Sequence, residues 1–185
     1  ATLKVNNRVE MTAEKNRRHA LHSTRTSPAE ILAVTDDVID HLEQAIVHLR
    51  RQAKTLIEAD AELRRRFEIL ISIHGIGEKS AIAILGELAV LGPDLDARQW
   101  VALAGLAPRI AQSGRAPIKH RGVGKAGNKY LKKNLFMPAL VAWRDVPIWQ
   151  QLGERLLARG LKPIQVVVAV MRKLLHLIHA LFRDD

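Results

Sequence analysis

The residues whose types and spacing most clearly suggest a function are the eight at positions 74–81, whose sequence is HGIGEKSA. Two glycines let a backbone turn tightly and approach a phosphate without a Cβ in the way, while Ile76 between them would anchor the turn in a core. A helix that begins directly afterwards favours an anion at its first amides. The pattern predicts a helix-hairpin-helix that binds nucleic-acid phosphates, with little base specificity, through Gly75, Gly77, Lys79 and Ser80. The alternative is a helical hairpin whose turn only packs.

A second chemical candidate is Ser113, which Gly114 and Arg115 follow in a cationic stretch of the chain. A serine hydroxyl can attack a phosphodiester when a neighbouring arginine stabilises the charged transition state. The serine-glycine pair is weak evidence by itself, because most loop serines bond only to their own backbone.

The remaining polar residues predict no cofactor or metal site within this chain. The eight histidines lack the HExxH spacing, and His176 and His179 have no carboxylates near them in the sequence. We expect the rings of His176 and His179 to be hydrogen-bonded within the protein or solvated. No acidic cluster could hold two Mg²⁺ ions, and Glu78 and Glu87 are predicted to lie on helix surfaces. Between residues 69 and 144 the acids are Glu78, Glu87, Asp94 and Asp96.

The positive charge is concentrated in one segment. The net charge is +10, and residues 97–144 hold ten Lys and Arg without a single acid, whereas the rest of the chain balances. Such segregation indicates a surface for a polyanion. A solvated basic face without a partner is the alternative. The ten residues are Arg98, Arg109, Arg115, Lys119, Arg121, Lys125, Lys129, Lys132, Lys133 and Arg144.

Composition favours an all-α protein. Hydrophobic residues make up 48% of the 185 residues and aromatic ones only 4%, so the core must consist of Leu, Ile, Val and Ala. The absence of cysteine excludes disulfides and cysteine-based zinc sites. There is no signal-peptide pattern, and no uncharged apolar run reaches the ~18 residues of a membrane span.

The chain divides into three expected parts. Residues 1–27 are predicted to be a linker helix from an N-terminal domain that this chain lacks. Residues 28–66 are predicted to form one long helix. Residues 67–185 are predicted to form a compact helical domain, with the helix-hairpin-helix at 67–91.

The long helix shows a heptad pattern. Leucines recur every seven residues at 42, 49, 56 and 63, and the second seam position holds Val38, Ala45, Gln52 and Ala59. This pattern predicts a coiled coil, within the chain or between chains. The alternative is a long amphipathic helix that packs on its own domain.

The compact domain contains further helix signals. Asp96 is expected to cap a short helix that continues through Leu103 and stops at Gly105. Residues 106–127 resemble a basic loop with a possible short hairpin around 109–118. Helices are expected at about 126–143, after Pro147, and at 163–182. The last has a core-like stripe with a period of 3.6 residues, formed by Ile164, Val167, Val168, Met171, Leu174, Leu175, Ile178 and Leu181.

Five blocks of sequence resemble a known family. They are GIG from Gly75, QWVALAGLAPR from Gln99, the Ser113 pair, GKAGNKYLKK from Gly124 and RKLL from Arg172. In this order they resemble the C-terminal transposase domain of the insertion sequence 110/116/902 family, which includes the Piv-type DNA invertases. The resemblance covers about residues 66–182. The ordered set is specific, although each block alone is not.

The resemblance implies an RNase H-like N-terminal domain with four acidic, Mg²⁺-binding residues, followed by a coiled coil and this domain. It also implies a serine that joins covalently to DNA and, in at least some members, a guide RNA that specifies target and donor. The expected partners are DNA, a guide RNA and further copies of the chain as dimers and tetramers, and no membrane. The setting would be cytoplasmic and nucleoid-associated. Magnesium is implied only for the acidic domain.

Carried over onto this sequence, Ser113 is the candidate nucleophile because it occupies the serine-glycine pair after the GLAPR block. Asn128 is expected to touch the DNA backbone, with local helix capping as its alternative. The other residues expected to contact phosphates are Arg109, Arg115, Lys119, Arg121, Lys125, Lys129 and Lys132.

The sequence departs from the family in lacking the acidic domain. It would then be a truncated or degraded copy that binds DNA without recombining it alone. The alternative from another class is a non-catalytic helix-hairpin-helix module for DNA binding and dimerisation. A start codon directly before Ala1 would favour that module, and an upstream reading frame with paired acids would exclude it.

Overall fold

A computed structural model of the chain describes residues 2–23, 29–92, 94–111, 119–123 and 127–184, with the backbone alone at 2–6, 8, 108–111 and 119–123. Eight helices and one two-stranded hairpin lie among these residues, and the fold is all-α as predicted. The elements are α1 (Thr2–Ser23), α2 (Ala29–Ala59), α3 (Ala61–Ser72), α4 (Glu78–Leu88), α5 (Ala97–Leu103), β1 (Pro108–Ala111), β2 (Lys119–Val123), α6 (Lys129–Asp145), α7 (Pro147–Ala158) and α8 (Pro163–Arg183).

The chain divides into two units, one ending at Asp60 and the other beginning at Ala61. In the first unit α1 and α2 pack antiparallel, since Lys15 pairs with Glu43 at 2.6 Å and the later Arg18 pairs with the earlier Asp36 at 3.0 Å. Exposed ion pairs of this kind contribute little to stability, because water screens them. The larger contribution comes from the side chains that α2 buries, which are Thr35, Ile39, Leu42, Ile46 and Ile57.

The buried face of α2 is displaced from the predicted heptad seam. Ile39 and Ile46 are buried, whereas Val38 is 40% exposed and Leu56 is 67% exposed. A seam through positions 39, 42 and 46 keeps the heptad spacing but buries two isoleucines in place of the smaller residues at 38 and 45. The larger side chains remove more apolar area from water.

The long helix predicted over residues 28–66 is interrupted at Asp60. Because α2 ends at Ala59 and α3 begins at Ala61, Leu63 lies on a different helix from the other heptad leucines. Aspartate is a preferred residue just before a helix, and Glu62 in the first turn of α3 suits the positive helix end. The first helix of the predicted hairpin therefore starts at 61 and not at 67.

Helix α8 is the central element of the second unit and packs against α3, α5, α6 and α7. It is also the one helix among the described residues that could cross a membrane by length and composition, a property that buried core helices share. The predicted stripe is buried at five positions, but Ile164 is exposed and Leu181 lies at the surface. Because several helices cover α8, its buried set is broader: Val166, Val167, Val170, Met171, Leu174, Leu175 and Ile178.

Helix α5 begins and ends as predicted. The Asp96 carboxylate accepts from the Gln99 amide at 2.7 Å, and the Gln99 side chain accepts from the Asp96 amide at 2.7 Å. Gly105 follows the helix with φ +65°. The buried Trp100 meets the His179 ring edge-on, with centroids 4.9 Å apart, which fastens α5 to α8.

A buried hydrogen bond joins α4 to the start of α6. The Asn128 side-chain amide donates to Glu87 at 2.7 Å, and its oxygen accepts from the backbone amides of Tyr130 and Leu131 at 2.9 and 3.0 Å. Glu87 is only 8% exposed, so its predicted place on a helix surface is wrong. A buried carboxylate needs a donor, and Asn128 supplies one while it caps α6.

We expect Asn128→Asp to lower the free energy of unfolding by about 2 kcal/mol at neutral pH. The new carboxylate still caps α6, but it faces Glu87 with no donor between them. The double variant Asn128→Asp/Glu87→Gln should recover most of the loss, since the glutamine amide can donate to the aspartate. Denaturant unfolding measures both. Equal instability of the single and double variants would contradict this hydrogen bond.

Candidate nucleic-acid interface

The turn between α3 and α4 is built around Gly75. This residue has φ +92°, and a Cβ added to it would lie 2.8 Å from the Pro138 carbonyl oxygen of α6. Only glycine fits there, because L side chains avoid that backbone region and the helix backbone of α6 cannot yield. Ile76 is buried directly after it, as expected for the anchor of the turn.

Gly77 is different, because the fold does not require a glycine at this position. Its φ is −84° and its ψ is 167°, which any residue adopts, and no atom lies within 4 Å of the place where a Cβ would be. The tight turn was predicted to need both glycines, but the two differ in the structure. Gly75 makes the turn, and Gly77 leaves open space in front of α4.

That open space lies at a helix N-terminus that no side chain caps. The Gly77 carbonyl accepts from the amides of Ser80 and Ala81, both at 2.9 Å, so the helical ladder starts directly at this residue. Lys79 is exposed and Ser80 is half-buried beside it. Positive helix polarity, an exposed ammonium group and an accessible backbone together suit a phosphate group.

The start of α6 holds three of the predicted contact residues. Lys129 is exposed, with its ammonium 5.0 Å from the centroid of the Tyr130 ring, and Lys132 is half-buried. Asn128 directs its side chain into the fold through the three hydrogen bonds described above. The geometry of Asn128 therefore agrees with the alternative prediction, in which this residue caps a helix locally. Of these three predicted contact residues, Lys129 and Lys132 are the ones that carry a positive charge.

The basic loop, predicted over residues 106–127, is closed at its base by backbone contacts, and we call this closure the neck. The Asn128 amide donates to the Leu103 carbonyl at 2.8 Å. Gly127 has φ +93°, and a Cβ on it would lie 2.4 Å from the Cα of Gly105. The end of α5 and the start of α6 thus touch directly, and both ends of the loop leave from one place.

Part of the basic loop is described as an antiparallel hairpin. Arg109 of β1 pairs with Arg121 of β2, and Ala111 pairs with Lys119. The strands flank the predicted hairpin region but extend to Val123, five residues beyond its predicted end at 118. The structure gives the backbone positions of the three predicted phosphate contacts in these strands. Ser113, Arg115 and Lys125 lie outside the described residues.

Helix α4 separates the two parts of the site. Its first turn packs toward residues 138–142 of α6, as the surroundings of Gly75 show, while Glu87 near its other end binds Asn128 before α6. The helices therefore run antiparallel. Ten residues separate Gly77 from Glu87, which corresponds to about 15 Å along the axis. The structure does not bring the turn and the neck together.

One of the ten cations in the basic segment has a partner just beyond it. Arg144 donates to both carboxylate oxygens of Asp145, at 2.5 and 2.9 Å. The Arg144 guanidinium, helped by His74 at 3.5 Å, lowers the pKa of Asp145 to about 2. Arg144 is therefore less available to a polyanion than its position in the sequence suggests.

His179 of α8 has a role in the fold. His179 donates from Nε2 to the Leu95 carbonyl at 2.9 Å, and its ring packs on Trp100. Among the described residues, no group of three or more His, Asp or Glu side chains is placed to hold a metal ion. The residues described in this chain therefore do not fit the Mg²⁺ site that the resemblance implies for another domain.

Sequence reasoning missed Glu87, which holds the neck from α4. The available signal was its position, since it is a single acid within an apolar run that continues on both sides. A charged residue among apolar neighbours is either a break in the buried face or a buried group with a partner. Only the packing of α6 on α4 distinguishes the two.

Comparisons with known proteins match the segment that contains the candidate interface. Residues 67–153 match the model of the Transposase IS116/IS110/IS902 family. The pilin gene-inverting proteins of Moraxella bovis and Moraxella lacunata are each 35% identical over 156 residues, which cover 84% of this chain and 48% of theirs. An insertion element IS110 protein of Streptomyces coelicolor is 26% identical over 152 residues, which cover 80% of this chain and 37% of its own length.

The chain thus spans about half the length of the gene-inverting proteins and less of the IS110 protein. The family match contains the α3–α4 turn, the neck and the basic loop, so the shared segment is the candidate interface itself. By this match and these relatives, the chain belongs to the IS116/IS110/IS902 family of transposases.

Proposed function

We propose that this chain is the DNA-binding, C-terminal part of a transposase or site-specific recombinase that cuts and rejoins DNA through Ser113. The names of its relatives support recombination, because one pair inverts a pilin gene and others belong to insertion elements. The observation that carries the DNA-binding part is the open, uncapped start of α4, where Gly77 is a glycine that the fold does not need.

The two ends of α4 suit two phosphates of one DNA duplex. The α3–α4 turn offers an anion site, and the lysines at the start of α6 lie beside the neck at the other end. The separation of about 15 Å along α4 is several times the axial rise of about 3.4 Å per nucleotide of one strand, so the two ends would meet different phosphates. Contacts of this type position a duplex without reading its bases.

The proposed reaction takes place at the basic loop, which carries Ser113. In this proposal the Ser113 hydroxyl attacks a phosphorus atom, a serine phosphodiester forms, and the bond to one DNA oxygen breaks. The hydroxyl proton leaves to a base, and the departing DNA oxygen receives a proton. A DNA hydroxyl from another strand then reverses the step and releases the serine. The loop arginines would stabilise the charge at phosphorus.

Parts of the reaction lie outside this chain. We propose that an RNase H-like domain supplies the acidic residues and their Mg²⁺, and that a structured guide RNA specifies the target and donor sequences. Both proposals rest on the family resemblance. The contribution of this chain is to hold DNA at the interface and to present the serine.

We further propose that α2 dimerises through its exposed apolar face. Val34 is 62% exposed, and Val38 and Leu56 are also exposed. Leu56 follows Val38 by 18 residues, which is about five turns, so both lie on one line along the helix. This line belongs to the predicted heptad seam, and it is not the face that packs on α1. A second copy would cover it as a coiled coil, and such dimers could pair into tetramers.

Gly77→Val should weaken binding to duplex DNA by about tenfold, or 1.4 kcal/mol, without unfolding the chain. The added side chain finds open space in the fold but occupies the place where the phosphate would approach the α4 amides. Gly92→Val is the matched control, since Gly92 also has open space around its Cβ position. Fluorescence anisotropy measures affinity, and thermal unfolding monitors the fold. Unchanged affinity of Gly77→Val would mean that the turn only packs.

Ser113→Ala, in a protein that carries the acidic domain, should abolish recombination and the covalent protein–DNA adduct while DNA affinity stays within about twofold. Ser72→Ala is the control, since Ser72 is an exposed serine whose hydroxyl donates to the Ile69 carbonyl. Denaturing gels detect the adduct, and a plasmid assay measures recombination. Undiminished recombination by Ser113→Ala would refute the nucleophile and favour a binding and dimerisation module.

The variant Val38→Asp/Leu56→Asp should make the chain monomeric at concentrations where the unchanged chain is dimeric, because charged groups disrupt an apolar seam. Val47→Asp is the control, since Val47 is 51% exposed on α2 but lies half a helical turn around from Val38. Analytical ultracentrifugation measures the mass. Loss of the dimer in the control as well, or a monomeric unchanged chain, would contradict this interface.

A further inference from the structure

A second group of cations lies on α5 and α8, outside the turn and the basic loop. Arg98 is exposed on α5, Lys173 is exposed on α8, and Arg172 is half-buried beside it. His176 is half-buried one turn later on α8. We call these four residues the α5–α8 cluster. The RKLL block that begins at Arg172 has no role in the function proposed above.

Packing in the core holds the two helices of this cluster together. Trp100, two residues after Arg98, meets the ring of His179, three residues after His176, and also meets Phe182 edge-on at 6.2 Å. The His179 side chain bonds to the Leu95 carbonyl before α5. These contacts set Arg98 within electrostatic range of His176. The cluster is thus a fixed arrangement on two packed helices.

The cations of the α5–α8 cluster lack carboxylate partners among the described residues. Nε of Arg172 is buried and has no hydrogen-bond partner. Within the part of the chain that the structure describes, no carboxylate pairs with Arg98, Arg172 or Lys173. Neither α5 nor α8 contains an acid, and the nearby Asp96 is engaged as the cap of α5. A buried guanidinium nitrogen without an acceptor is costly, and such a group indicates a missing anionic partner.

Burial lowers the pKa of His176 from its ordinary value, and the positive groups around it lower the pKa further. These groups are Lys173, Arg172 and His179 on α8 and Arg98 on α5. Cations that lie close enough to disfavour protonation of His176 also repel one another, and a bound anion would reduce that repulsion.

We propose that the α5–α8 cluster is a second binding site for the phosphate backbone of duplex DNA, separate from the α3–α4 turn and the basic loop. A phosphate would lie at the exposed Arg98 and Lys173, and the guanidinium of Arg172 beside them would add to the positive charge. The contact positions the duplex and carries no base specificity. This inference rests on the proposed DNA binding and extends it to α8, where Arg172 and Lys173 lie outside the basic segment of residues 97–144.

The test compares the salt dependence of duplex binding in three proteins. In the unchanged chain, neutralising about 8 phosphates gives a slope of log affinity against log salt of roughly −7. Arg98→Gln/Lys173→Gln should reduce the magnitude of that slope by about 2, because two phosphate contacts are lost. Arg155→Gln/Arg159→Gln removes the same charge from exposed positions at and just after the end of α7. It should leave the slope unchanged.

Each outcome is decisive. Equal slopes for the two double variants, or a slope for Arg98→Gln/Lys173→Gln equal to that of the unchanged chain, would overturn the cluster as a site. A reduced affinity for single-stranded RNA with duplex affinity intact would overturn the assignment to DNA. An unchanged chain that binds no duplex would overturn the proposed function and this inference together. Thermal unfolding of all three proteins verifies that the substitutions spare the fold.

Discussion

The hydrogen bond between Glu87 and Asn128 is the constraint on which the arrangement of the second unit depends. A carboxylate buried between helices is tolerated only with a donor, and this donor comes from the residue that caps α6. The backbone of the same asparagine reaches the Leu103 carbonyl at the end of α5. One residue therefore fixes the mutual positions of α4, α5 and α6, and with them the base of the basic loop.

The glycines also differ in whether the fold requires them. Gly75 and Gly127 have positive φ and touch the backbone of another element, so the fold alone accounts for them. Gly77 has neither property, so the fold does not account for it. Of the two glycines in this short motif, the fold thus requires only one.

Local signals in the sequence predicted much of this structure. The cap at Asp96, the stop at Gly105 and the core helix α8 depend on neighbouring residues, and the structure agrees with each prediction. The features that could not be predicted required knowledge of a distant partner. A heptad repeat leaves two adjacent faces of α2 nearly equivalent, and the fit to α1 selects between them. Glu87 looks like a surface acid until α6 covers it.

The closed neck also bears on how the basic loop can vary in length. Closing a flexible loop has an entropic cost that rises slowly, by about 0.6 kcal/mol for each doubling of its length. Because contacts among Gly105, Gly127 and Asn128 fix the ends of the loop, insertions between them leave the helices in place. The fold therefore tolerates changes in the length of the loop, whereas the glycines and the asparagine at its base cannot be replaced without disturbing it.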